Sequence, residues 1–222
     1  MHSIESPAWL AWNLSLAAIP VVLGQFLAWW GITLRGKIKR PLWSIPLVII
    51  GILWLAFLPN SCYLLTEWRH FFFDPAFVNM RHAAITNEER LVVAQYGFFF
   101  IIYSLVGVLF YGLSIRPVVK LLRSMKLPTP LLAVPFFVLV SLGVYLGLIV
   151  RFNSWQVITD FSVVWATAVH AAEAQELRTV ILVFALLLWV LYIIVDIWID
   201  GASARILARP GLQSEAGRTR KK

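Results

Sequence analysis

The apolar residues of this chain neither alternate with polar ones nor keep a 3.6-residue rhythm from end to end; they fall into five long blocks. The blocks run from Ala8 to Leu34, Leu42 to Leu65, Leu91 to Ile115, Leu131 to Val150 and Thr179 to Ile199. A helix of roughly 20 mostly apolar residues crosses a hydrocarbon core of ~30 Å, so each block predicts a membrane span. Strands of a transmembrane barrel are roughly half as long and alternate strictly, which these blocks do not. The pattern predicts an all-α, polytopic transmembrane helical bundle of five spans.

The stretch between spans four and five has a different pattern. Val157, Ile158, Phe161, Val164, Trp165, Ala168, Val169 and Ala172 recur at helical spacing, in a stripe roughly 140° wide at about 100° per residue. Asp160, His170 and Glu173 interrupt it too often for a span. An external amphipathic helix at the membrane surface, or over the mouth of the bundle, is the expectation.

Composition sharpens this picture. The 222 residues are 60% hydrophobic and only 14% charged, with a mean hydropathy of +0.81, which argues against an ordinary soluble enzyme. Cys62 is the single cysteine, so the chain has no intrachain disulfide framework and no cysteine cluster for a metal. The net charge of +8 gains meaning from its placement. Arg35, Lys37, Lys39 and Arg40 follow span one; Arg116, Lys120, Arg123 and Lys126 follow span three; Arg205, Arg209, Arg218, Arg220, Lys221 and Lys222 follow span five. Few basic residues follow spans two and four, where Glu67, Asp74, Glu88, Glu89, Asp160, Glu173 and Glu176 gather instead. The positive-inside rule then predicts an external N-terminus and a cytoplasmic C-terminus. Span one is expected to be retained rather than cleaved as a signal peptide, since the flank Met1 to Pro7 has no basic residue. One transmembrane domain over residues 1–200 and a basic cytoplasmic tail over 201–222 complete the expected organisation. Membrane lipids suffice as partners of the basic clusters, and no nucleic acid is needed.

Candidate chemistry lies where polar residues enter or border the spans. Asn60 follows Pro59 near the expected outer end of span two, where the missing proline N–H loosens the helix. Asn60, Tyr63, Thr66, Glu67 and His70 recur every three or four residues and would form one polar stripe leading out of the membrane. Glu67 and His70, three apart, can share a proton or offer oxygen and nitrogen to a metal ion; His170 and Glu173 repeat the spacing in the amphipathic segment. The four histidines, His2, His70, His82 and His170, are all external in this topology. Near the other end of the bundle, Asp196 is expected to pair with the basic loop Arg116 to Lys126. No Walker loop, GxSxG elbow or dinucleotide-type glycine pattern is present in the sequence.

Two segments carry a resemblance. Leu58, Pro59, Asn60, Tyr63, Thr66, Glu67 and His70 resemble the LPNAPY-x-x-TD-x-x-H signature of a bacterial multispanning membrane family, domain of unknown function 1361. Tyr145, Leu146 and Gly147, then Arg151, Phe152, Asn153, Ser154 and Trp155, resemble its second signature, YLGRF-x-RWNSWDV. Here Ser61 and Cys62 replace Ala-Pro, Glu67 replaces Asp, Leu148 stands for Arg and Gln156 for Asp. The resemblance implies a bacterial inner-membrane location and no established reaction or cofactor.

Both signatures reach the same expected membrane face. Asn60, Tyr63, Thr66, Glu67, His70, Arg151, Asn153 and Trp155 are therefore expected to line one external polar pocket for a lipid or small anionic ligand, roofed by the helix after Trp155. Arg151 would pair with Glu67 or hold the anion with its planar fork of donors. One alternative is a membrane enzyme using Glu67 and His70 in acid–base or metal-assisted chemistry, with His170 and Glu173 as further metal candidates. Another is an accessory subunit in which these groups only pin helices together.

Overall fold

A computed structural model describes residues 7–35, 37, 40–152 and 156–207. Its described elements are all helical: α1 (Pro7–Thr33), α2 (Arg40–Thr66), α3 (Trp68–Phe73), α4 (Pro75–Ala83), α5 (Asn87–Ser124), α6 (Thr129–Leu148), α7 (Gln156–Thr159), α8 (Phe161–Glu173) and α9 (Gln175–Leu207). Five helical stretches are long and apolar enough to cross a membrane, built on α1, on α2 with α3, and on α5, α6 and α9. Their outward faces are apolar too: Val22, Ile52, Val183 and Ile197 are 61–67% exposed, a surface suited to lipid rather than water.

Several helices outrun the apolar blocks that predict them. At a rise of about 1.5 Å per residue, the 38 residues of α5 extend ~57 Å, well beyond a hydrocarbon core. Its start is fixed by a capping box, with Thr86 Oγ1 accepting from Glu89 N and the Glu89 carboxylate accepting from Thr86 N. Its far end continues through Pro117 to Ser124. Gly201 to Leu207, expected to open a separate tail, instead continue α9; residues 208–222 lie outside the described residues.

The stretch from Trp68 to Ala83 folds into two short helices. Asp74 ends α3 and caps α4, its carboxylate accepting from Ala76 N at 2.9 Å, and Pro75 occupies the first turn, where its missing N–H costs nothing. Phe71, Phe77 and Phe100 pack together and tie this pair to α5. Arg81 lies over the Phe71 and Phe72 rings and donates to the Phe72 carbonyl at 2.9 Å. The amphipathic segment is also helical, but it breaks at Asp160 into α7 and α8. On α8 only Val164 and Ala171 are buried; Phe161 and Trp165 remain exposed, so the packed stripe is narrower than the apolar one.

The main core joins α2, α5, α6 and α9 through Trp54, Leu58, Tyr111, Phe137 and Leu188. Side chains bonding to a neighbouring helix's carbonyls stitch this bundle: Ser61 to Ala17, Trp54 to Ser114, Tyr111 to Leu188 and Ser141 to Ile181, at 2.7–3.2 Å. Asp196 behaves as expected: Arg116 bridges it at 3.1 Å and also contacts Asp200, fastening α5 to α9.

Candidate functional site

The two sequence signatures meet where α2 packs on α6. Pro59 and Tyr63 are one turn apart on α2; Gly143 and Gly147 are one turn apart on α6. A Cβ added at Gly143 would lie 2.7 Å from Pro59 Cγ, and one at Gly147 would strike the Tyr63 hydroxyl. Because both sequence numbers rise together, the two helices run parallel, with two rings of α2 seated over two glycines of α6. Small residues four apart permit this close approach. This part of both signatures is therefore a helix-packing device.

The polar stripe of α2 divides into separate fates. Asn60 is buried and donates from Nδ2 to the Phe57 carbonyl at 3.1 Å. Thr66 Oγ1 donates to the Tyr63 carbonyl at 2.8 Å. Both side chains thus support the last turns of a helix that Pro59 has deprived of one hydrogen bond. Beyond them the chain turns at Glu67, and α3 brings His70 back against it: His70 Nε2 stands 3.3 Å from Glu67 Oε2. That approach lacks hydrogen-bond alignment, because Glu67 Oε2 remains buried with no hydrogen-bond partner, as does Arg69 Nε. Glu67 is close enough to both Arg69 and Tyr103 to interact with them electrostatically. The junction of α2 and α3, backed by α5, is therefore a small buried polar cluster with unmet donors and acceptors.

Arg151 does not join that cluster. It is exposed, and the described ion pairs do not include one between it and Glu67. Instead it turns the chain after α6 with a φ of 68°, and Phe152 N then donates to the Leu146 carbonyl at 3.0 Å. His2, Asn153 and Trp155 lie outside the described residues. His82, His170 and Glu173 are exposed, and among the described residues no three of His, Cys, Asp and Glu are grouped to hold a metal ion.

A groove of about 310 Å³ does open beside the packed signatures. Pro59 and Tyr63 form one wall, Leu142 and Gly147 of α6 another, and Phe152, the residue after Arg151, also lines it. Phe161 and Trp165 of α8, stacked with centroids 6.2 Å apart, roof it. The expected roof helix is in place, yet the space beneath it is apolar, and of the stripe residues only Tyr63 reaches it. Periodicity could not show this, because Asn60 and Thr66 meet their own helix's carbonyls. Arg69 and Tyr103 were legible only as a charge and an aromatic. The spacing of Phe99, Tyr103 and Gly107 on α5, four apart, is the signal that places the Tyr103 hydroxyl on a packed face.

The family described as a protein of unknown function, DUF1361, matches residues 12–191. Neither a curated protein nor a solved structure matches the chain. With most of its length matched, the chain belongs to the DUF1361 family.

Proposed function

From that family membership and this geometry, we propose that the protein is an integral membrane protein, in the bacterial inner membrane, that binds an anionic lipid at the external end of α2 and α6. The observation that carries this reading is the groove between α2, α6 and α8, apolar along its walls, whose lining residue Phe152 comes directly after the exposed Arg151 in the chain. An acyl chain would lie against Pro59, Tyr63 and Gly147, with Phe161 and Trp165 over it. The headgroup phosphate would meet Arg151, whose guanidinium suits bidentate phosphate contact. Groove volumes of this order suit one chain of a lipid or a similarly slim ligand.

The test is photo-cross-linking of the full chain in mixed-lipid nanodiscs, using phosphatidylglycerol with a diazirine on its acyl chain. Cross-links are expected on residues 52–63, 142–147 and 161–168, with a lower yield for the phosphatidylcholine analogue. Arg151→Gln should lower the phosphatidylglycerol yield roughly tenfold, the loss of one charged hydrogen-bonding contact. Equal yields from both lipids, or no effect of Arg151→Gln, would overturn the reading.

The Glu67–His70 contact at 3.3 Å supports a second reading, a membrane enzyme in which this pair moves a proton. Incubation of the reconstituted protein with a bacterial lipid extract, followed by mass spectrometry, separates the two. A new lipid product that disappears with Glu67→Gln supports an enzyme; an unchanged lipid profile favours binding alone.

A further inference from the structure

A larger apolar cleft than the α2–α6–α8 groove lies elsewhere, between α5, α6 and α9, beside the turn that joins α5 to α6. Its volume is about 600 Å³. Trp54 and Val118 lie at its back, Phe136 and Ala133 line it from α6, and Trp189 and Ile193 line it from α9. Along α6 the lining extends from Thr129 to Leu139, about 15 Å of helix at ~1.5 Å per residue. That is half of a ~30 Å hydrocarbon core, the depth of one leaflet. Leu139 also borders the α2–α6–α8 groove, so the two clefts approach each other from opposite ends of α6 and stop at one side chain.

Polar groups are confined to the mouth side. Arg123 and Asp196 line the cleft there, but their charges are used differently. Asp196 is held by Arg116, which also takes Asp200. Arg123 is exposed and takes part in none of the described ion pairs. Tyr192 lines the same cleft, is 9% exposed, and its hydroxyl is buried with no hydrogen-bond partner. Lys120 and Lys126 add positive charge on the same stretch of chain. A buried hydroxyl without a partner is costly unless something that accepts or donates a hydrogen bond sits opposite it.

We propose that this cleft is a second binding site, which holds one anionic phospholipid with its phosphate on Arg123 and the Tyr192 hydroxyl and one acyl chain running along α6 to Leu139. Three features select that occupant. The wall is apolar for the length of one leaflet; Arg123, in none of the described ion pairs, lies at the end where a headgroup would sit; and the unpartnered Tyr192 hydroxyl lies close enough to that cation to interact with it. A zwitterionic lipid would bring a second cation next to Arg123 and the lysines, which like-charge repulsion disfavours.

The test uses the full chain in nanodiscs and the same diazirine phosphatidylglycerol, read at different peptides. Cross-links are expected on residues 132–137 and 189–197, several-fold more than with the phosphatidylcholine analogue. Arg123→Gln, a surface change that leaves the packing intact, should lower that yield roughly tenfold, and Tyr192→Phe by a smaller factor. Ala133→Trp should fill the cleft and displace the label from 189–197. Equal labelling by the two lipids would reduce the cleft to ordinary boundary lipid and overturn the proposal. So would yields at these peptides that Arg123→Gln leaves unchanged, or labels confined to the α2–α6–α8 groove.

Discussion

At the scale of single residues, Tyr63 and Gly147 show how a family signature can encode packing. A side chain at Gly147 and the Tyr63 hydroxyl compete for the same space. Gly147→Ala should therefore lower stability by about 1–3 kcal/mol, the usual cost of an overpacked core position. Tyr63→Phe removes the clashing oxygen, so the double variant should recover part of that loss. Thermal unfolding of both single variants and the double in detergent measures the coupling; simple additivity would mean that the two residues do not touch. Arg151 makes a different point. A φ of 68° suits glycine and strains a residue with a Cβ. Arg151→Gly should thus unfold no earlier than the wild type while losing the phosphatidylglycerol cross-link at 142–147. A marked fall in melting temperature would instead assign Arg151 a structural contact.

At the scale of helices, the five spans were legible because their signal is length and apolarity, properties that need no tertiary information. Helix ends were less legible. Nothing in the apolar block Leu91 to Ile115 announces that α5 runs on to Ser124, whereas Thr86 and Glu89 do announce its start. The short pair α3 and α4 was hidden because Phe71, Phe72 and Phe73 look the same whether they enter lipid or pack on Phe77 and Phe100; only the fold decides. The site was half legible: Glu67 and His70 do meet, but the Arg151 partner expected for Glu67 is exposed and in none of the described ion pairs, because α6 ends at Leu148 and the chain turns at Arg151 instead of carrying the helical register on beside α2. Glycine contacts are where helix packing becomes measurable. A Cβ at Gly24 would press on the Ser114 carbonyl, a backbone atom that also accepts from Trp54, whereas one at Gly51 would meet nothing within 4 Å. Gly24→Ala must push α1 and α5 apart, at a cost of about 1–3 kcal/mol. Gly51→Ala, with open space around the added methyl, should change stability by no more than about 0.5 kcal/mol. Matched denaturation curves for the two variants would refute this account of the α1–α5 seam if their midpoints coincide.

At the scale of the whole molecule, charge has a geometry that the fold makes physical. Arg35 after α1 donates to the Ser124 carbonyl at the end of α5, at 3.1 Å, so two of the basic loops touch. Arg116 ties the same end of α5 to α9. Arg35, Arg116 and Arg123 thus lie at one end of the bundle, as five alternating spans require, while Glu88, Glu89, Glu173 and Glu176 lie at the other. The positive-inside rule assigns the basic end to the cytoplasm, and the chain offers a clean way to check it. Its one cysteine, Cys62, is fully buried, so single cysteines introduced elsewhere should react with a membrane-impermeant maleimide over little background. In spheroplasts, Glu88→Cys and Gln175→Cys should label at once, and Lys126→Cys only after permeabilisation. The opposite result would invert the molecule and move the Arg151 groove to the inner leaflet. Labelling of both position 88 and position 126 in intact spheroplasts would mean that α5, the one long helix between them, does not cross. The five-span bundle and both lipid sites would then fall together.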